Sequence, residues 1–165
     1  MAEVKYGKYF LHELTPEERE RGFGKDSGFV VFSDNDIIQG CNYFSVRVMG
    51  EAATKIAGHG PHIHKDAEVL VALGTDPDNP TELGAEIELC MGPEMEAHTI
   101  TRSTLVYIPP NFIHCPFRVL KVARPFLFIQ SQYAPKMTEK PFKQLVPAEM
   151  RDKMIFLDFD GTEKD

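Results

Sequence analysis

The distribution of apolar residues along the chain predicts a β-rich protein. From Gly28 onward, short apolar runs rich in β-branched and aromatic residues are separated by clusters of Gly, Pro, Asn, Asp and Ser. The runs are GFVVF, YFSVRVM, EVLVALG, AEIELCM, HTITRSTLVYIPP, FRVLKV and PFLFIQSQY. Short strands at this near-regular spacing predict an all-β fold, an antiparallel sandwich or barrel of the jelly-roll type.

The two ends of the chain lack this pattern and predict extensions to one central domain. Residues 1–27 carry a helix signal, because Thr15-Pro16-Glu17-Glu18 offers a capping hydroxyl, a proline at the first helical position and acidic residues in the first turn, with Gly22 and Gly24 to end it. Residues 28–134 are expected to form the β-barrel. Residues 135–165 are expected to form a tail that packs on the barrel or on a dimer partner, with a helical turn at 147–151.

Composition and charge exclude several classes of protein. A chain of 165 residues with 42% hydrophobic and 26% charged content suits one domain with a sizeable core. The absence of a long apolar run and of an apolar signal-peptide stretch predicts a cytoplasmic protein with no membrane partner. The net charge of −7 argues against a nucleic-acid partner. Cys41, Cys90 and Cys115 contain no CxxC pair and are expected to be buried thiols.

Three histidines and one glutamate form a candidate metal site. In a strand, alternate side chains lie on the same face, so His62 and His64 point the same way, roughly 6.6 Å apart along the backbone. Glu68, an even number of residues further on, would point to that face too. His114 follows His64 by 50 residues, a separation that suits the return of the chain on a neighbouring strand. Cys115 would then face the opposite way and is not expected to bind the ion.

The ligand set indicates the kind of metal. Imidazole and carboxylate suit the transition ions, whereas an all-oxygen cage for calcium or magnesium would not use three histidines. We expect one divalent ion per chain, with Fe²⁺ or Mn²⁺ favoured and Ni²⁺ or Zn²⁺ as alternatives. In six-coordinate geometry four protein ligands leave two positions open, which is typical of a catalytic site.

The two segments that carry these residues, HIHKDAEVLVALG and PPNFIH, resemble the two motifs of the cupin superfamily. The resemblance implies a jelly-roll β-barrel and carries His62, His64, Glu68 and His114 over as metal ligands. Asn111 stands where the family usually has glycine, and asparagine tolerates a left-handed backbone better than most residues. The family's usual asparagine, four positions after the last histidine, is replaced by Arg118.

Arg118 is the residue most expected to meet a substrate. It shares the parity of His114, so we expect it to point into the cavity and to steer a substrate carboxylate, with a salt bridge to Glu86 or Glu88 as the alternative. Arg47 is expected on a solvated strand face rather than in the interior.

Two further sets of residues stay open at this point. Either Gln130 and Gln132 or the alternating Ile129 and Ser131 face inward. His59, in a Gly-His-Gly turn, is expected to lie at the surface, or else to orient a ligand or to transfer a proton.

These features predict a metal-dependent enzyme acting on a small oxygenated, carboxylate-bearing substrate, with Glu68 and Arg118 as the catalytic residues. Cupins with such ligands include dioxygenases, decarboxylases, isomerases and lyases. The alternative is a non-catalytic small-molecule-binding cupin, a sensor or storage module. Apolar runs near both ends, GFVVF and IFLDF, predict a homodimer in which exposed edge strands are covered across a two-fold axis.

Overall fold

The computed structural model describes residues 5–16 and 29–159, and these residues fold mainly into β-strands. Three 3₁₀ helices, Gly7–Tyr9, Glu51–Lys55 and Lys143–Leu145, and one short helix α1 (Ala148–Arg151) complete the described elements. The strands are β1 (Phe29–Ser33), β2 (Phe44–Met49), β3 (His62–Ile63), β4 (Glu68–Leu73), β5 (Glu82–Met91), β6 (Glu96–Arg102), β7 (Thr104–Ile108), β8 (His114–Val122), β9 (Phe126–Gln132) and β10 (Lys140–Pro141).

The strands form two sheets of five. Sheet I has the order β1-β2-β9-β4-β7, and sheet II has the order β10-β3-β8-β5-β6. All pairings between these strands are antiparallel. The prediction of an all-β, antiparallel fold is therefore confirmed.

The core joins the inward faces of the two sheets. On β4, Leu70 and Ala72 are buried while Val69 and Val71 are only partly buried, which is the period-two alternation expected of a strand with one buried face. Leu70 and Phe126 of sheet I belong to the same buried cluster as Leu83, Ile87 and Leu89 of sheet II. This core holds both sheets in fixed positions on either side of the candidate site.

The segment after residue 134 is bound closely to the rest of the chain. β10 pairs with β3, the strand that carries His62. Further along, Ile155 forms a parallel bridge with His59, and Phe159 forms an antiparallel bridge with Glu139. The predicted helical turn at 147–151 is confirmed by α1. IFLDF thus contacts its own chain. These contacts do not support the prediction that it covers an edge strand of a dimer partner.

At the N-terminal end, the helix predicted to begin at Thr15-Pro16 runs into residues 17–28, which lie outside the described residues together with Gly22 and Gly24. The predicted domain boundaries at 27/28 and 134/135 stay predictions. Within the described ranges, no helix is long and apolar enough to cross a membrane.

Candidate metal centre

The four predicted ligands come together between the two sheets. His62 on β3 and His114 on β8 are direct register partners in sheet II. Glu68 is the first residue of β4 in sheet I, and His64 lies in the link from β3 to β4. All four side chains are buried, with between 1% and 4% of their surface exposed. The chain thus brings one carboxylate from one sheet to three imidazoles at the other.

The polar atoms of these side chains converge on one point. His62 Nε2 lies 3.2 Å from His64 Nε2. Glu68 Oε2 lies 3.4 Å from His64 Nε2 and 3.1 Å from His114 Nε2. Ligand atoms bound about 2.1 Å from one metal, at right angles to each other, would be separated by roughly 3.0 Å. The spacing of these pairs fits a single ion: the three histidines form a group that could hold a divalent metal, and Glu68 contacts two of them.

Glu68 reaches the site for a reason other than the expected strand parity. β3 contains only His62 and Ile63, and the chain bends at 65–66 before β4 begins. Glu68 therefore enters from sheet I, across the interior, rather than from the strand that carries the histidines. Asn111, in the loop before β8, has a φ of 58° as expected, and its backbone N–H donates to the His64 carbonyl at 2.8 Å. That bond connects the two motif segments.

Each ligand histidine is oriented by a backbone carbonyl at its other ring nitrogen. A carbonyl oxygen only accepts hydrogen bonds, so Nδ1 carries the proton and Nε2 presents its lone pair to the centre. The acceptors are Gly60 for His62 at 2.7 Å, Phe112 for His114 at 3.2 Å, and Thr138 for His64. Three converging nitrogen lone pairs beside a carboxylate form a donor set that a cation fits.

Electrostatics agree with this assignment. Burial lowers the pKa of His62 well below its ordinary value, and the neighbouring His114 and His64 lower it further. Burial would raise the pKa of Glu68, but the adjacent imidazoles of His114 and His64 outweigh it and hold that pKa well below the usual range. The cluster therefore keeps an ionised carboxylate beside a neutral His62, as a metal site requires.

A second group of possible ligands adjoins the first. His59 Nδ1 lies 3.2 Å from Glu139 Oε2, and His62 Nδ1 lies 3.9 Å from Glu139 Oε1. However, His62 Nδ1 already donates to Gly60, and Glu139 Oε1 accepts the backbone N–H of Leu157 at 3.3 Å. These bonds occupy the atoms that would bind an ion. We therefore interpret His59, His62 and Glu139 as a hydrogen-bonded group next to the centre rather than as a second metal site.

The expectation that Arg118 points into the cavity is not met. Its Nε donates to Glu88 Oε1 at 3.0 Å, and its side chain is 40% exposed. The two residues are register partners on β8 and β5. The salt-bridge alternative is the one that the structure contains, and the catalytic role predicted for Arg118 loses its geometrical basis.

A β-bulge explains this difference. Leu89 and Met91, two positions apart on β5, pair with Phe117 and His114, three positions apart on β8. The extra residue reverses the inward and outward alternation after His114. Cys115, which has a φ of 73°, consequently lines the cavity instead of facing away. Burial raises the pKa of the Cys115 thiol well above its ordinary value, so it stays protonated.

The four ligands lie in the wall of a cavity of about 470 Å³. Arg47 on β2 and Gln130 on β9 also line it. The expectation that Arg47 lies on a solvated strand face is therefore wrong. On β9, the glutamines face inward rather than Ile129 and Ser131. Gln132, fully buried, donates from Nε2 to Glu68 Oε1 at 3.5 Å. A larger depression of about 720 Å³, near β6 and β7, contains none of the four residues.

Comparison with known proteins does not place the chain in a family. No family model matches it, and no curated protein sequence matches it. Among solved structures, it is similar to a protein from Acidithiobacillus ferrooxidans that is provisionally described as a sugar phosphate isomerase. The identity is 13%, the match covers 78% of this chain and 79% of that chain, and the TM-score is 0.41. This similarity is too weak to support any statement about activity.

Sequence reasoning missed the contribution of the tail to the centre. The Thr138 carbonyl orients His64, and the Thr138 hydroxyl accepts the backbone N–H of Lys65 at 3.0 Å. Glu139, only 2% exposed, contacts His59 and His62. No motif marks these residues, because a carbonyl acceptor leaves no side-chain signature and the contacts span more than 70 positions of the chain.

Proposed function

We propose that the chain is a metal-dependent enzyme of the cupin type that acts on a small oxygenated, carboxylate-bearing substrate. The observation that carries the proposal is the convergence of three oriented imidazole nitrogens and one carboxylate at the wall of a sizeable cavity. Two facing antiparallel sheets with this site between them suit a jelly-roll barrel. A cytoplasmic location stays a prediction from the sequence.

His62, His64, Glu68 and His114 would hold the ion, with Fe²⁺ or Mn²⁺ favoured. When bound, a divalent ion supplies Lewis acidity and lowers the pKa of a coordinated oxygen group. Glu68 would bind through Oε2, the atom that faces His64 and His114, and Oε1 remains to accept a proton while Gln132 orients it. Apolar residues of the cavity, among them Leu70 and Phe128, exclude water from the bound substrate.

The alternative function is a sensor or storage module that binds a small molecule at the same ion. We expect the Mn²⁺-loaded protein to enhance water-proton relaxation, because open positions on the ion admit exchanging water, and small carboxylates to reduce this enhancement. Carbon-13 spectroscopy of the same mixtures then separates the two functions, since an enzyme converts a carboxylate and a sensor only retains it. Full-occupancy Mn²⁺ with no exchanging water would contradict both.

We also propose that the protein is a homodimer, but through a surface other than the predicted edges. The outward face of sheet I, here called the apolar face, carries large exposed apolar side chains on four of its strands. They are Val30, Phe44, Val48, Leu73, Leu105 and Tyr107. An apolar sheet face of this kind packs well on a second copy of itself about a two-fold axis.

Light scattering at micromolar concentration should give twice the chain mass for the wild type and the single mass for Leu105→Glu. Leu105 is 62% exposed in the apolar face, so a buried charge there would oppose association. Leu120→Glu is the matched control, because Leu120 is 48% exposed on β8 of sheet II, and it should remain dimeric. A monomeric wild type contradicts the proposal, as does a dimeric Leu105→Glu.

A further inference from the structure

Arg47 and Gln130 lie side by side in the wall of the metal cavity. Ser45 on β2 pairs with Gln130 on β9, and Arg47 pairs with Phe128, so Arg47 and Gln130 are diagonal neighbours on the inward face. Diagonal neighbours in antiparallel strands are about 7 to 8 Å apart, within reach of long side chains. One ligand lying along this face can therefore contact both.

The guanidinium of Arg47 is held by an aromatic ring. Its central carbon lies 4.2 Å from the centroid of the Phe29 ring, and Phe29 is its register partner on β1. A stacked guanidinium uses its face for the ring and directs its N–H groups outward from its edge, where oxygens bind in pairs. This geometry suits recognition of a planar carboxylate.

Gln130 adds a neutral polar group. Its Oε1 is buried and has no hydrogen-bond partner among residues 5–16 and 29–159. Buried amide groups normally have partners, and the unpaired ones require an explanation. A carboxamide can present either oxygen or N–H to a ligand, so Gln130 suits an oxygen-rich group beside the one that Arg47 receives.

Charge in the cavity favours an anion. A divalent ion and Arg47 would bring three positive charges to the lining, against the two carboxylates of Glu68 and Glu139. One positive charge remains in a largely apolar cavity, where charge interactions are stronger than in water. A substrate with a negative group would neutralise it.

The position of Arg47 limits the shape of that substrate. Arg47 pairs with Phe128, which pairs with Ala72, and Ala72 is four residues along β4 from Glu68, roughly 13 Å. β2 and β4 lie on either side of β9, roughly 10 Å apart. On this backbone spacing, a single short carboxylate is not expected to reach both Arg47 and the ion.

We propose that Arg47 forms an anion subsite away from the metal, with Gln130 on β9 between the two, and that the substrate is an elongated small acid with oxygen ligands at one end and a carboxylate at the other. The inference rests on the proposed function and deepens it, because it names the substrate class. It also transfers the carboxylate-binding role expected of Arg118 to a residue that lines the cavity.

The test uses the Mn²⁺-loaded full chain and unbranched dicarboxylates of three to six carbons, from malonate to adipate, with binding measured by calorimetry. The longer diacids should bind at least about tenfold more tightly than malonate, because only they reach both ends. Arg47→Gln should abolish this chain-length preference and weaken the longer diacids about tenfold or more at unchanged Mn²⁺ content. Arg47→Lys should keep only part of the affinity for the longer diacids, because an ammonium cannot donate two parallel N–H groups to a carboxylate as a guanidinium does.

Arg118→Gln is the matched control and should bind every diacid as the wild type does, since Arg118 pairs with Glu88 outside the cavity. Gln130→Leu should weaken the longer diacids and serves as a second variant should Arg47→Gln fail to fold. Equal affinity for malonate and the longer diacids in the wild type overturns the subsite. An unchanged preference in Arg47→Gln also overturns it.

Failure of the proposed function is distinguishable from failure of the subsite. A wild type that holds no Mn²⁺ refutes the metal-dependent function itself. A wild type that holds Mn²⁺ and binds the longer diacids no more tightly than malonate, without any dependence on Arg47, retains the function and refutes only the subsite.

Discussion

His64→Ala is expected to weaken metal binding at least about 100-fold and to leave protein purified without added metal almost empty. The wild type should hold close to one transition ion per chain. His64 supplies one of four converging ligand atoms, and its Nε2 contacts both His62 and Glu68. Loss of a residue that only orients a ligand typically costs 10- to 100-fold in affinity, so loss of a ligand itself should cost more. Elemental analysis of both purified proteins measures the effect.

The control for this experiment is His98→Ala. His98 is half exposed on β6, next to Glu96, and has no part in the centre. It should keep the metal content of the wild type. The fold of His64→Ala should also survive, because the core cluster lies between the sheets and does not include His64. Stoichiometric metal in His64→Ala would refute the assignment of His64 as a ligand.

Phe126→Ala is expected to lower the free energy of unfolding by about 3 to 5 kcal/mol. Phe126 is completely buried at the start of β9 and belongs to the cluster that joins the two sheets. Removing its ring leaves a cavity that the neighbouring side chains fill only in part. For a chain of this size the corresponding fall in melting temperature is about 6 to 20 °C, measured by circular dichroism.

Leu120→Ala serves as the comparison for Phe126→Ala, because Leu120 is 48% exposed on β8. Its effect should stay within about 1 kcal/mol. Because Phe126 lies away from the ligand residues, Phe126→Ala should still bind one ion at low temperature. A melting temperature equal to that of the wild type would contradict the proposed position of Phe126 in the core.

The sequence was sufficient to predict which four side chains meet, because the spacing of the two motifs restricts where histidines and a glutamate can come together. His62, His64, Glu68 and His114 converge as expected. The reason given for Glu68 was nevertheless wrong, since the bend at 65–66 moves it to the other sheet. Correct residues were thus obtained from an incorrect strand assignment.

The prediction that Arg118 points inward was wrong because a β-bulge interrupts the regular alternation of β8. The bulge on β8 turns Arg118 outward to Glu88. Parity alone assumes a regular strand, and a single extra residue exchanges its two faces. Arg47 was misplaced for a different reason, because an arginine on an amphipathic strand is ordinarily solvated. The Phe29 ring next to the guanidinium and the adjacent cavity accommodate an inward arginine.

The support given by the tail could not be predicted at all. Gly60 illustrates why: a Cβ on this residue would overlap the Phe156 ring, so glycine allows the tail to pack beside the ligand strand. The sequence shows the glycine but does not show which distant segment requires it. The hydrogen bond from His64 to the Thr138 carbonyl depends on the same long-range packing.

The most direct test of the metal centre is a crystal structure of the Mn²⁺-loaded protein with anomalous difference density. We predict one strong peak bound by Nε2 of His62, His64 and His114 and by Glu68 Oε2, at about 2.0 to 2.3 Å. A peak between His59, His62 and Glu139 instead, or no peak near the three converging histidines, would contradict it.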